Sequence, residues 1–99
     1  MRIIARQTLV VFWKARPETE QALKAWFQVA KAAEWANTAQ VKKTFNRASV
    51  INRERVVFDI SGGNRLIVAF KFSAKIAWIK FIGTHADYDK IDAARVSRY

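Results

Sequence analysis

RVVFDISGGNRLIVAFKF, residues 55–72, is the stretch whose reading decides the fold. Val56, Phe58 and Ile60 alternate with Arg55, Val57 and Asp59. Leu66, Val68, Phe70 and Phe72 alternate in the same way with Arg65, Ile67, Ala69 and Lys71. A period of two sends successive side chains to opposite faces of a strand, and the Gly-Gly-Asn at 62–64 predicts a hairpin turn between two such strands. Ser73-Ala74 predicts a second turn, weaker for want of glycine, and Lys75 to Ile82 a third strand. On that strand Trp78 and Lys80 are expected on one face, and Ala77, Ile79 and Phe81 on the other. Gly83 ends it, and Thr84 is placed to cap a final helical turn through Asp87-Tyr88-Asp89.

Upstream the period changes to that of helices. Leu23, Trp26, Phe27, Ala30 and Ala33 recur at three- and four-residue steps, with Lys24, Gln28 and Lys31 facing away. Pro17 fits the first turn of this helix, and Glu18 and Glu20 follow where the helix dipole favours acids. Leu9, Phe12 and Trp13 predict an earlier helix over Thr8–Lys14, after a short strand at Arg2–Ala5. Thr38 is the expected cap of a third helix, Ala39–Phe45, carrying Lys42 and Lys43, and residues 46–54 read as an irregular approach to the sheet. The expected architecture is α+β in a single domain over residues 1–99: N-terminal helices packed on one face of an antiparallel sheet, then a short C-terminal helical segment.

Composition narrows the function. A hydrophobic fraction of 52% supports one compact core in 99 residues and excludes global disorder. The absence of cysteine excludes disulfides and thiolate metal sites, and a single histidine excludes a multi-histidine zinc site, so no cofactor or metal is expected. Lysine and arginine outnumber acids 18 to 8, a net charge of +10 that runs the whole length. Such an excess points to a polyanion, with nucleic acid ahead of membrane lipid or an acidic protein. No stretch approaches the ~20 apolar residues of a membrane span, and the opening residues are too short for a signal peptide, so a cytoplasmic location is expected.

Chemistry-bearing side chains collect where the third strand reaches the surface: FIGTHADYDKID, residues 81–92, holds the only histidine, a tyrosine, three aspartates and a lysine. Cleaving RNA without a metal needs a base for the 2′-hydroxyl, cations for the charged phosphorane and an acid for the departing 5′-oxygen. His85, Tyr88, Arg65 and Arg55 are the candidates for catalysis, and Lys71, Lys80, Lys42 and Lys43 for holding RNA. Asp87, Asp89 and Asp92 read as dipole-compensating or salt-bridging groups, and Tyr88 equally as an amphipathic core residue with a wet tip.

MRIIARQTLVVFW, EQALKAWF, KKTFNRAS, RVVFDISGGNRLIVAFKF and above all IKFIGTHADYDKIDA resemble the HigB toxins, members of the RelE-like group of toxin–antitoxin endoribonucleases. The resemblance implies a RelE-like fold and an mRNA interferase acting on messages engaged by the ribosome. It also implies a HigA-like antitoxin with a helix-turn-helix domain, through which alone the pair reaches operator DNA. In the RelE-like pattern an arginine opens the strand after the sheet's first hairpin, which Arg65 matches, and Arg55 corresponds more loosely to basic groups on the preceding strand. His85 and Tyr88 occupy the variable zone after the last strand. The competing reading is a non-catalytic basic RNA- or ribosome-binding module. For the antitoxin, the helical half is the expected contact, because Phe12, Trp13, Trp26, Phe27 and Trp35 exceed what one small sheet face is expected to cover.

Overall fold

A computed structural model describes all residues, 1–99. The chain runs β1 (Arg2–Ile4), α1 (Arg6–Ala15), a single 3₁₀ turn at Pro17–Thr19, α2 (Glu20–Ala32), α3 (Thr38–Thr44), β2 (Ser49–Val50), β3 (Arg55–Ile60), β4 (Asn64–Lys71), β5 (Ile76–Gly83) and α4 (His85–Tyr88). The strands form one sheet in the order β1-β5-β4-β3-β2. Strands β2 to β5 are antiparallel, as expected. The sheet as a whole is mixed, because β1 lies parallel to β5, pairing Ile3 with Ala77. The helices intervene between β1 and the rest of the sheet and return the chain to the same end.

The alternation in 55–72 holds. Val56, Phe58, Ile60, Leu66, Val68 and Phe70 point into the main core, where Leu9, Val10, Trp13, Leu23, Trp26, Ala30 and Val41 of the helices meet them. Edge-to-face aromatic contacts lock the two layers: Trp26 on Phe58 at 5.4 Å, Phe45 on Phe58 at 5.2 Å and Trp35 on Phe70 at 5.9 Å. Trp13, Trp26 and Trp35 are all buried, and Phe12 and Phe27 are half-buried. The expected surplus of exposed aromatic rings on the helices is therefore not there. Their exposed large apolar residues are Val11 and Val29.

Four local expectations change. The first hairpin turn is Ser61–Gly63, with Gly62 and Gly63 at φ 73° and 78°, and Asn64 is already the first residue of β4, latched back by Nδ2 donating to the Ser61 carbonyl at 2.8 Å. The second turn is Phe72–Ala74, closed by Lys75 in the left-handed region at φ 56°, so β5 starts one residue later than expected. Helix α3 is capped by Asn37, whose side chain accepts from the Gln40 backbone N–H, and not by Thr38. Residues 46–54 are not wholly irregular, since Ser49–Val50 form the edge strand β2.

The largest correction is on β5. Val68 pairs with Ile79 and the next residue back, Ile67, pairs with Phe81, so Lys80 is an extra residue in a β-bulge. The bulge inverts the alternation beyond it. Ala77, Ile79 and Ile82 enter the main core, while Phe81 turns to the opposite face and joins Val57 and Ile67 in a second, smaller cluster. Ile51, Tyr88, Ile91, Ala93 and Val96 pack against that cluster. The C-terminal segment thus crosses the face that the helices leave open.

Candidate functional site

The open face has two ends, and strand register decides what each one holds. At the β3–β4 turn, Asp59, Arg65 and Gly83 stand side by side on β3, β4 and β5. Arg65 Nη1 is 3.2 Å from Asp59 Oδ1 and donates to the Gly63 carbonyl at 3.0 Å. With only 22% of its side chain exposed, the guanidinium is held in place and not free to sweep. Arg47 joins Arg65 and Asp59 around a shallow hollow of about 360 Å³ beside the glycines of the turn.

Helix α4 delivers His85 to the same end. Thr84 caps it with a reciprocal capping box: its hydroxyl accepts from the Asp87 N–H at 3.1 Å and its own N–H donates to Asp87 Oδ2 at 3.3 Å. Hydrogen bonding of the carboxyl to the Thr84 side chain, and then to the Thr84 N–H, with lesser help from the charges of Lys90 and Arg98, holds Asp87 below its ordinary pKa. Asp87 is therefore a structural cap that stays ionised. A β-carbon placed on Gly63 would lie 3.9 Å from His85 Cβ, so the histidine stands against the turn that carries Arg65. His85 Nε2 is 3.5 Å from Asp89 Oδ2, one helical turn on, and both side chains are 60% exposed. Asp92 pairs with Arg95 at 3.8 Å, so Asp89 and Asp92 stand in the ion pairs expected of them, whereas Asp87 closes the capping box.

Tyr88 sits on the inner side of α4. Its ring packs against Phe81 at 6.4 Å within the second cluster, and it is half-buried. Gly83 makes this junction possible: a β-carbon there would come within 2.8 Å of the Phe81 ring and 3.2 Å of Asp87 Cβ.

The opposite end of the face carries Arg55, Lys71 and Lys80. Arg55 pairs across the sheet with Ala69, and Ala69 with Trp78. These residues, with Glu54, Phe72 and Ser73, line a groove of about 600 Å³. Arg55 Nη1 donates to the carbonyls of Ala93 at 3.1 Å and Val96 at 2.7 Å, which ties down the C-terminal segment. Lys80 Nζ reaches Ser97 Oγ at 3.4 Å, the Arg98 N–H donates to the Lys80 carbonyl at 3.0 Å, and the Arg98 guanidinium lies 5.0 Å above the Phe81 ring.

Register therefore divides the four catalytic candidates. Arg65 and His85 fall at the same end, both beside the β3–β4 turn, with Tyr88 one turn further on. Arg55 is four residues away along β4, about 13 Å at ~3.3 Å per residue, with the covered apolar cluster in between. Lys71 and Lys80 stand with Arg55. Lys42 and Lys43 belong to the helical layer, where Lys42 Nζ donates to the carbonyls of Asn46 at 2.6 Å and Ala48 at 2.5 Å beyond the end of α3. Sequence reading missed Arg47, which lies in a segment without periodicity, and gave Trp78 no role. Only register would have shown that Trp78 shares a row with Arg55.

A basic α+β domain with helices packed on one face of a five-stranded mixed sheet is compatible with the architecture of the RelE-like toxins. The family model of the HigB toxin, the RelE-like toxic component of a toxin–antitoxin system, matches residues 19–91, and the chain belongs to that family. The N-terminal strand and the whole of α1 lie outside the matched region. No curated protein matches the sequence.

Proposed function

We propose that this chain is a metal-independent endoribonuclease that cleaves ribosome-engaged mRNA and so inhibits translation and growth. The observation that carries the reading is that Arg65 and His85 both stand beside the β3–β4 turn, at one end of the open face, in a domain of charge +10. The ribose 2′-oxygen attacks the adjacent phosphorus, a 2′-O–P bond forms, and the P–O5′ bond breaks with its electron pair on the 5′-oxygen. The 2′-hydroxyl proton leaves to a base and the 5′-oxygen gains one, leaving a 2′,3′-cyclic phosphate. Imidazole is the side chain suited to exchanging protons near neutral pH, and Asp89 Oδ2 stands 3.5 Å from His85 Nε2. Arg65, already oriented by Asp59 and the turn carbonyls, stabilises the charge that develops on the phosphorane. Tyr88 positions the reacting group from α4, and Arg55, Lys71 and Lys80 hold flanking phosphates.

The antitoxin partner implied by the family is, in this reading, a HigA-like helix-turn-helix protein that alone contacts operator DNA. No helix of the chain is long and apolar enough to cross a membrane. Induced expression should arrest growth and yield messages ending in 2′,3′-cyclic phosphate. Loss of cleavage on adding chelator, restored by magnesium in a ribosome-free assay, would overturn the mechanism.

A further inference from the structure

We propose that the row Arg55–Ala69–Trp78 is a slot for one nucleobase of the bound strand, with Trp78 as its stacking platform. The ligand class rests on the proposed action on RNA, whereas the slot itself does not depend on cleavage. Four observations converge on it. Trp78 is the one tryptophan of four that is not buried. Its neighbour on β4 is Ala69, whose single methyl leaves room above the strand, and the next residue across is Arg55. Neighbouring strands lie about 4.8 Å apart, so the indole and the guanidinium stand two strand spacings from each other over a small residue. That is a gap fit for a flat ring, inside a groove of about 600 Å³.

Arg55 is also fixed before any ligand arrives. Nη1 is committed to the carbonyls of Ala93 and Val96, which sets the guanidinium plane and leaves its other nitrogens for a base edge or a phosphate. Lys71 and Lys80 line the same groove, so three cations face one acid, Glu54. Lys80 is the bulged residue of β5, and the bulge is what ends the apolar cluster and starts the basic groove. An aromatic platform among cations is how proteins hold single strands with little sequence preference. The slot lies about 13 Å from Arg65 along β4 at ~3.3 Å per residue. It would therefore seat a base a few nucleotides from the scissile phosphate, acting as a positioning site.

Tryptophan fluorescence reads this directly, because Trp13, Trp26 and Trp35 are shielded in the core. The wild-type protein is titrated with a short single-stranded oligoribonucleotide, 2′-O-methylated throughout so that it cannot be cleaved, and separately with inorganic polyphosphate of matched charge. The oligoribonucleotide should quench the emission and polyphosphate should not. Trp78→Phe should abolish the quench while binding stays within a few-fold, and Trp78→Ala should weaken binding roughly 5- to 100-fold. Saturable binding without quench, equal quench by polyphosphate, or Trp78→Ala binding as tightly as wild type would each overturn the slot. Cleavage of unmodified RNA is scored in parallel. Cleavage with a silent Trp78 removes only the slot, and a working slot on a protein that never cleaves removes only the nuclease.

Discussion

On the helical face the sheet buries nine strand side chains, from Val56 to Ile82, beneath three helices and their tryptophans. On the other face it buries three, Val57, Ile67 and Phe81, beneath one helical turn and a tail held by the Arg55 side chain donating to two of its carbonyls and by the Arg98 N–H on the Lys80 carbonyl. The same strands supply both faces, so the difference lies in what covers them. A face sealed by interlocked aromatic rings stabilises the fold. A face covered only along its middle keeps charged side chains available at both ends, which is where the candidate site and the tryptophan groove lie.

Substitutions can break or sharpen this contrast. The largest effect is expected from Phe58→Ala, which removes the ring that both Trp26 and Phe45 pack against. Urea unfolding should show a loss of about 3–5 kcal/mol. Phe81→Ala, under a thinner cover that can settle into the space, should fall at or below the lower end of that range. Equal costs for the two would mean that the faces are equally well packed.

Next in size is an effect on activity. His85→Ala and Arg65→Ala should each lower cleavage by ~10²-fold or more with RNA binding largely kept, while Lys43→Ala, in the helical layer, should change it by no more than about 2-fold, as expected of an exposed lysine away from the site. Indifference to His85→Ala would favour the binding-module reading and leave the open face as a docking surface only.

Gly83→Ala tests the junction between the faces. Its β-carbon would meet the fully buried Phe81 ring, which has nowhere to retreat. A cost of about 1–3 kcal/mol is expected, read as a fall of several degrees in Tm, and displacement of α4 should reduce cleavage as well. An unchanged Tm would show that Phe81 is looser than its burial implies.

The smallest effect concerns pH. The Asp87 carboxyl is depressed below 3.8 in the fold, so its stabilisation of α4 is fully present above the unfolded pKa and is lost as pH falls through the lower, folded value. Amide exchange at Thr84, His85 and Asp87 should accelerate only in that acidic window, and Asp87→Asn should remove the pH dependence. Fraying of α4 already above pH 5, well clear of the ordinary carboxylate range, would exclude the capping box as its cause.

Much of this was legible in the residues. Alternation over 55–72 gave both faces of β3 and β4 correctly, because each residue's face depends only on the period-two backbone. The glycines of the first turn, the helical stripes and the Thr84 cap are local signals of the same kind. The third strand was misread beyond Lys80 because a bulge leaves no mark in composition: IAWIKFIG alternates plausibly in either phase, and pairing with Ile67 and Val68 decides between them. The aromatic surplus was misjudged for a related reason. Counting rings says how much apolar surface exists, but not that Trp35 and Phe45 close over the edge of the sheet.

The sequence by itself determined the α+β order, the identity of the basic and acid–base side chains and membership of the toxin family, since all three are properties of local pattern and motif. Only the tertiary structure decided that Arg65 and His85 share one end of the open face while Arg55 stands with Trp78 at the far end. It also decided that the C-terminal segment lies between them, anchored by an arginine read as catalytic. Strand register is the physical reason: it is set by pairing between distant segments, and one extra residue in β5 redirects every side chain that follows it.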